Sequence, residues 1–271
     1  MLDSGVPGTK ALLIGAAARS LIGLAILGFC SLISISCSTK EVGTPTYSQT
    51  AAKLFPISRN SKWGFIDREG KLVISPQFDA VRDPLMPSES VFSEGLAAVC
   101  VGKCNWVYPD GKTPDTLGGQ FMHKRFEGKW GYIDSTGQMV ISPQFTNAGR
   151  FVCGRASATT DEEWLDALSD VRSGYIDQTG HFVIHPQFDS AQDFGRESKL
   201  AVACLGSGDN ARCGYIDVAG RFVINPQFWS AWDFNGSIAR VYQTKNAEPS
   251  YISRTGQLLW KGDERTKDGT P

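Results

Sequence analysis

The stretch GYIDQTGHFVIHPQF, residues 174–188, contains side chains that general acid–base or metal chemistry uses. Asp177 lies before a turn, and His181 and His185 are four residues apart. On a strand, side chains at this spacing share a face but lie about 13 Å apart, whereas a zinc ion holds its nitrogen ligands at about 2.1 Å. The spacing therefore argues against a metal centre, and we expect neither a metal nor a cofactor.

The same phrase recurs along the chain, and the recurrence changes the interpretation of Asp177. Full copies begin at Lys62, Lys129, Arg172 and Arg212, and the partial copies KCNWVYPDGK and PSYISRTGQLLW complete a period of about 40 residues. One turn position holds aspartate in each full copy: Asp67, Asp134, Asp177 and Asp217. Because catalysis needs two groups in different environments, an aspartate repeated once per unit is interpreted as a structural turn residue.

Each unit is predicted to consist of β structure. Aromatic and β-branched residues flank an Asp-x-x-Gly turn, which is typical of a β-hairpin. The Pro-Gln-Phe motif ends the second strand, because proline cannot donate to a ladder, and a third strand such as Leu200–Ala203 follows. We predict an all-β, open, curved, solenoid-like array of about five to six units, each a three-stranded antiparallel meander, with a small closed β-propeller as the alternative.

The motif Trp-Gly-[Phe/Tyr]-Ile-Asp-x-x-Gly, the following Pro-Gln-Phe and the strand Glu-Gly-Leu-Ala resemble the WG (KWG) repeat family of bacterial proteins. The resemblance covers about residues 61–260, and only Trp63 and Trp130 keep the tryptophan that gives the family its name. This resemblance implies a binding or scaffold surface, often on an exported protein, with no chemistry of its own.

Residues 1–36 are interpreted as a signal sequence. Lys10 and Arg19 precede an apolar run of about 15 residues, shorter than the roughly 20 that a spanning helix needs. The sequence Ser34-Ile35-Ser36-Cys37 resembles the lipobox of bacterial lipoproteins, which implies that Cys37 is lipidated. Residues 37–56 then form a flexible polar tether, residues 57–260 the repeat domain and residues 261–271 a disordered tail. An uncleaved single-pass membrane anchor is the alternative.

The cysteines of the repeat region suggest an oxidising compartment. Cys100 and Cys204 end third strands, and Cys104 and Cys213 begin the next units. Neighbouring antiparallel positions place Cα atoms about 4.5 to 5.5 Å apart, which is within disulfide range. We therefore expect the disulfides Cys100–Cys104 and Cys204–Cys213, and export of the protein. Cys153 is expected to be a small buried filler.

A binding function is expected where the repeat pattern is broken. In FWSAWDF, residues 228–234, Trp229 and Trp232 replace polar or small residues of the other copies. They could form an aromatic platform for a glycan or a protein, or they could cover the end of the array. In TTDEEWLDALSDV, residues 159–171, a capping-box pattern predicts a short helix that protects a sheet edge.

Composition narrows the possible partners. With 27 Lys+Arg against 28 Asp+Glu, the chain lacks the basic surplus that nucleic-acid binding requires. We predict a non-catalytic binding or scaffold module of the bacterial cell envelope with a protein or glycan partner. Its lipid anchor would hold it at the outer membrane, in the periplasm or at the cell surface. The alternatives are a glycan hydrolase that uses carboxylates such as Asp110, Glu162 or Asp233, and a purely structural envelope component.

Overall fold

The computed structural model describes residues 53–82, 91–107, 125–160 and 172–263. These residues form β-strands that belong to five antiparallel sheets, and strands that follow one another in the chain are neighbours within each sheet. None of the five sheets closes on itself. The all-β repeat array predicted from the sequence is therefore confirmed. Within the described ranges, no helix has the length and apolarity needed to cross a membrane.

The five sheets follow one another in chain order. Sheet 1 contains β1 (Phe55–Arg59), β2 (Lys62–Ile66) and β3 (Leu72–Phe78). Sheet 2 contains β4 (Ala80–Val81), β5 (Leu96–Val107), β6 (Arg125–Asp134) and β7 (Met139–Phe145). Sheet 3 contains β8 (Asn147–Ala148), β9 (Ala156–Thr159), β10 (Ser173–Ile176) and β11 (Phe182–Phe188). Sheet 4 contains β12 (Ser190–Ala191), β13 (Ala201–Leu205), β14 (Arg212–Ile216) and β15 (Phe222–Phe228). Sheet 5 contains β16 (Ser230–Asn235), β17 (Ile238–Tyr242), β18 (Ser250–Ser253) and β19 (Leu258–Trp260).

The sheet boundaries are offset from the boundaries of the sequence units. The hairpin of the first unit forms β2 and β3, but the third strand of that unit, β5, pairs with β6 of the next unit. The chain changes sheets directly after Pro-Gln-Phe, where the N–H of Asp79 donates to the carbonyl of Cys100 at 3.0 Å. Sheets 2 to 5 therefore have four strands drawn from two units, in place of the three-stranded meander expected within one unit.

The partial copy that begins at Lys103 does not start a sheet of its own. Its residues 103–107 continue β5, where Asn105 and Trp106 pair with Glu127 and Phe126 of β6. The pairing is irregular between Val101 and Asn105. This segment therefore lengthens the hairpin that sheet 2 already contains.

The Asp-x-x-Gly turns have the geometry that their sequence predicts. In each full copy the aspartate carboxylate accepts hydrogen bonds from the backbone N–H groups two and four residues later, at 2.8 to 3.2 Å. The glycine of the turn has a positive φ, which is 88° at Gly180, and a residue without a Cβ adopts this conformation at little cost. The structural role predicted for the repeated aspartates is confirmed by these contacts.

Each sheet packs on the next one, and residues at equivalent positions make the contacts. In sheet 3, Tyr175 and Ile184 face sheet 4 and pack against a cluster that includes Ile216. The sheets can approach closely because the third strand of each sequence unit, which is the second strand of its sheet, carries a fully buried alanine in contact with the preceding sheet. These alanines are Ala97, Ala156, Ala201 and Ala239, all at most 1% exposed.

The hydroxyl of the repeated tyrosine makes a hydrogen bond that also recurs. Tyr132, Tyr175 and Tyr215 donate to backbone carbonyls 17 residues later, at 2.7 to 2.9 Å. These bonds fix the start of the next sheet, since Gly149 and Gln192 directly follow the first strands of sheets 3 and 4, and Trp232 lies on the first strand of sheet 5. Burial raises the pKa of all three tyrosines.

The two ends of the array differ from its interior. Buried clusters join sheets 1 and 2, 2 and 3, 3 and 4, and 4 and 5. In the part of the chain that the structure describes, none of these clusters joins sheet 5 to sheet 1. On sheet 1, Phe55 and Leu72 are exposed, and Gly70 has no neighbouring heavy atom where its Cβ would lie.

Candidate ligand-binding face

Within the described residues, no sheet covers one face of sheet 5, although the equivalent face of every earlier sheet is buried. In sheet 4 that face presents Val202, Tyr215 and Ile224, which lie on three paired strands and pack against sheet 5. The strand register of sheet 5 places three other residues at these positions: Arg240, Tyr251 and Trp260. No described sheet follows sheet 5 to cover these side chains.

Trp232 extends this row onto the fourth strand. Its ring lies under the guanidinium of Arg240, whose Cζ is 4.3 Å from the ring centroid. We call the four residues Trp232, Arg240, Tyr251 and Trp260 the terminal face. Trp232 is 53% exposed and Trp260 is 66% exposed, whereas Tyr251 and Arg240 are half-buried between them.

Arg240 is held by aromatic rings rather than by carboxylates. Besides the ring of Trp232, the ring of Tyr242 lies 6.0 Å from its Cζ. Within the described residues, Arg240 has no ion pair or hydrogen bond through its side chain. A guanidinium has five N–H donors in a plane, and stacking on rings leaves those donors available at its edge. The terminal face thus combines flat apolar surfaces with an available cationic donor.

The two tryptophans predicted as a platform are in different environments. Trp229 precedes β16 and is half-buried. Its backbone N–H donates to the backbone carbonyl of Tyr242 at 2.8 Å. Its indole Nε1 is buried and has no hydrogen-bond partner in the described structure. Trp232 lies on β16 with its ring exposed. Trp229 therefore lies within the sheet packing, and only Trp232 is placed to meet a ligand.

Asp233, named for the hydrolase alternative, interacts electrostatically with its equivalent in the preceding unit, Asp193. Desolvation and the charge of Asp193 raise the pKa of Asp233, and Arg150 opposes this shift. Asp193 accepts from Ser157 Oγ at 3.1 Å and lies 3.5 Å from Arg150 Nε. This carboxylate pair comes from equivalent positions, whereas the hydrolase alternative requires non-equivalent ones; Asp110 and Glu162 lie outside the described residues.

The turn aspartates keep their charge because their hydrogen bonds outweigh burial. Desolvation alone would raise the pKa values of Asp134, Asp177 and Asp217, but the hydrogen bonds that they accept hold each pKa below its ordinary value. Their acceptor sites are used by the turn itself.

His181 and His185 are both exposed. His185 lies on β11, and His181 precedes this strand, where its Nδ1 is 2.7 Å from Thr179 Oγ1. Among the residues that the structure describes, no three His, Cys, Asp or Glu side chains are grouped as a metal site. The expectation that the protein uses no metal or cofactor stays a prediction.

Both predicted disulfides are present. Cys204 and Cys213 are directly paired on β13 and β14, with Cα atoms 4.0 Å apart. The Cα atoms of Cys100 and Cys104 lie 6.2 Å apart. Both residues belong to β5, so their disulfide spans the irregular part of one strand rather than a turn between two strands. Cys153 is half-buried and is also disulfide-bonded, so the prediction that it is a filler is wrong.

Several predictions from the sequence fall outside the described residues. These are the signal sequence, the lipidation of Cys37, most of the tether, the helix in residues 161–171 and the end of the tail. Arg240, Tyr251 and Trp260 were not predicted as site residues from the sequence. For Trp260 a signal was present in the repeat alignment, since PSYISRTGQLLW places Trp260 where KWGFIDREGKLVI has Ile74.

Comparison with protein families agrees with this architecture. The profile of the WG containing repeat matches residues 63–84, 130–164, 174–207 and 214–246. Over these four stretches the chain is similar to WG repeats. The four matched stretches correspond to the four full copies, and the WG repeats continue structurally into sheet 5 through the partial copy that follows them. WG repeats indicate a repeat-based binding or structural module. A comparison with curated proteins gave no match.

Proposed function

We propose that this WG-repeat protein is a non-catalytic binding module of the bacterial cell envelope that holds a protein or glycan partner on its terminal face. The observation that carries the proposal is the exposed ring of Trp232 stacked under Arg240. Large aromatic side chains are usually buried, and tryptophan, tyrosine and arginine are the residues that dominate binding energies at interfaces.

A location in the envelope is supported by the cysteine chemistry. Two disulfides in the repeat domain suit an oxidising compartment, because thiols in the cytosol are kept reduced. We further propose that the domain is tethered through a lipid on Cys37, at the outer membrane, in the periplasm or at the cell surface. A single-pass N-terminal anchor remains the competing arrangement, and replacement of Cys37 by Ser separates the two: a lipoprotein then loses membrane association, whereas a spanning anchor keeps it.

A purely structural role for the terminal face predicts a different response to mutation. If Trp232 only stabilises the domain, its replacement by Ala lowers stability and affects a partner only through unfolding. If it binds a partner, the replacement leaves the melting temperature nearly unchanged and abolishes retention. Its backbone carbonyl still accepts the hydroxyl of Tyr215 in the variant, since that bond does not involve the ring.

The experiment is a retention assay with immobilised full-length protein in detergent and a bacterial envelope extract. The variants are Trp232→Ala and, as a control of similar exposure on sheet 4, Val223→Ala, whose side chain is also exposed. We expect the Trp232 variant to lose a retained protein or glycan that the wild type and the control both keep. Equal retention by all three proteins would refute the terminal face as the binding site.

A further inference from the structure

We infer that the terminal face binds an extended glycan that carries carboxylate groups, with sugar rings on the two tryptophans and a carboxylate on Arg240. The inference rests on the proposed binding function and names the class of partner. Three observations support it: the first sheet cannot serve as the partner of the last, Arg240 lacks an anion within the described residues, and the aromatic rings form a row across the sheet.

A second copy of the chain does not fit head to tail as the occupant. Continuing the array head to tail would place sheet 1 of one copy on sheet 5 of another. At every interior interface the approaching sheet presents a buried alanine, such as Ala201 or Ala239. In sheet 1 the register gives this position to Phe55, which pairs with Ile66 as Ala201 pairs with Ile216. Its ring would stand where neighbouring sheets have only a methyl group.

The charge of Arg240 also excludes an apolar partner surface. In sheet 4 the equivalent residue is Val202, which is buried against sheet 5. Covering Arg240 in the same way would bury a guanidinium without a counter-charge, which is strongly unfavourable. A ligand that covers this position must therefore bring its own anion. A carboxylate matches the two parallel N–H donors at the guanidinium edge.

The shape of the face favours an extended ligand of flat rings. The row contains one side chain from each of four neighbouring strands: Trp232, Arg240, Tyr251 and Trp260. Strands lie about 4.8 Å apart, so the row extends over about 14 Å. Sugar rings have an apolar C–H surface and polar edges, and an indole face with a nearby donor accommodates both. Trp232 adjoins Arg240 on one side, and Trp260 lies beyond Tyr251 on the other, so sugars on the two exposed indoles would lie on either side of a carboxylate bound at Arg240.

The test uses full-length protein in detergent and three probes in isothermal titration calorimetry. These are an oligogalacturonate, the same oligomer with its carboxylates converted to methyl esters, and an acidic peptide of polyglutamate. We expect binding of the oligogalacturonate only. Replacement of Arg240 by Ala should weaken it by about tenfold to hundredfold, as expected for a charge-assisted hydrogen bond. Trp260→Ala should weaken it as well, and the exposed Arg59 on sheet 1 provides the matched control Arg59→Ala.

Each outcome decides between the partner class and the binding function itself. Equal binding of the ester, or an Arg240→Ala variant with unchanged affinity, overturns carboxylate recognition. Binding of the acidic peptide in place of the sugar overturns the glycan. If no probe binds but the retention assay still identifies an envelope protein that depends on Trp232, the inference fails and the proposed function stands. Loss of both signals refutes the two together.

Discussion

Gly180, in the hairpin turn of sheet 3, lies against the side chain of Ile141 in sheet 2, so that a Cβ added to the glycine would be 2.8 Å from Ile141 Cγ2. The same contact recurs at Gly137, Gly220 and Gly256 with isoleucines of the preceding sheets. At Gly70, in the first sheet, nothing lies within reach. The turn glycine is therefore required for its conformation in every unit and for close packing in all units but the first.

This difference gives a matched pair of variants. Both Gly70 and Gly180 have positive φ values, of 80° and 88°, so replacement by Ala costs each about 1 to 2 kcal/mol of conformational strain. Gly180→Ala must also displace Ile141, which adds about 1 to 3 kcal/mol. We expect urea denaturation to show a larger loss of unfolding free energy for Gly180→Ala than for Gly70→Ala. Equal losses would mean that Ile141 accommodates the added methyl group at no cost.

The turn aspartates predict a specific dependence of stability on pH. The pKa of Asp177 is lower in the folded protein than its ordinary value, which is about 3.9. A lowered pKa stabilises the fold above that ordinary value, and the stabilisation is lost as the pH falls through the folded pKa. The variant Asp177→Asn keeps one acceptor oxygen but loses the charge, so we expect it to cost about 0.5 to 1.5 kcal/mol at neutral pH.

The measurement compares urea denaturation of wild type and Asp177→Asn at pH 7 and at pH 3. The difference in unfolding free energy should be present at pH 7 and should shrink at pH 3, where the wild-type carboxylate takes up protons. The exposed Glu197 provides the control Glu197→Gln. A gap of the same size at both pH values would show that the charge of Asp177 is not what stabilises the turn.

The disulfide between Cys204 and Cys213 should stabilise the domain by restricting the unfolded chain. It closes a short loop, for which the chain-entropy relation gives about 2 to 3 kcal/mol. We expect the double variant Cys204→Ser, Cys213→Ser to unfold at correspondingly lower urea concentration than the wild type under non-reducing conditions. With a reducing agent present the two proteins should converge, and a difference that persists after reduction would assign the effect to packing of the sulfur atoms.

The hydroxyl of Tyr175 should contribute measurably to the connection between sheets 3 and 4. It donates to the carbonyl of Gln192 at 2.7 Å, and its ring packs on Phe194 with a centroid distance of 4.8 Å. Replacement by Phe keeps the ring and leaves a carbonyl without its donor, so we expect a loss of about 1 kcal/mol in unfolding free energy. Phe65 occupies the equivalent position in the first unit, so the fold tolerates a ring without the hydroxyl at this position. An unchanged stability of the Tyr175→Phe variant would mean that water replaces the hydroxyl.

Local chemistry was predictable from the sequence, whereas long-range placement was only partly so. The Asp-x-x-Gly turns and the Cys204–Cys213 pair follow from residues that are near in the chain, and the structure contains both. The offset between sheets and sequence units was not predicted, because the pairing of a third strand with the hairpin of the next unit does not depend on any single motif. Part of the candidate site was predicted, because Trp232 differs in residue type from its counterparts in the other repeats. The role of Arg240 was not predictable, because it depends on contact with a ring in a different strand.

The offset between units and sheets has a consequence for how such a protein can change its size. Every interior sheet takes its strands from two adjoining units. Any segment one period long therefore contains the strands of one complete sheet, whichever residue of the period it begins at. Duplication of a segment that spans one full period therefore adds one sheet, whichever residue the segment begins at. The residues at the two ends, Phe55 and Trp260, remain outside such an event. The array can therefore lengthen internally while its terminal face, and whatever that face recognises, is inherited unchanged.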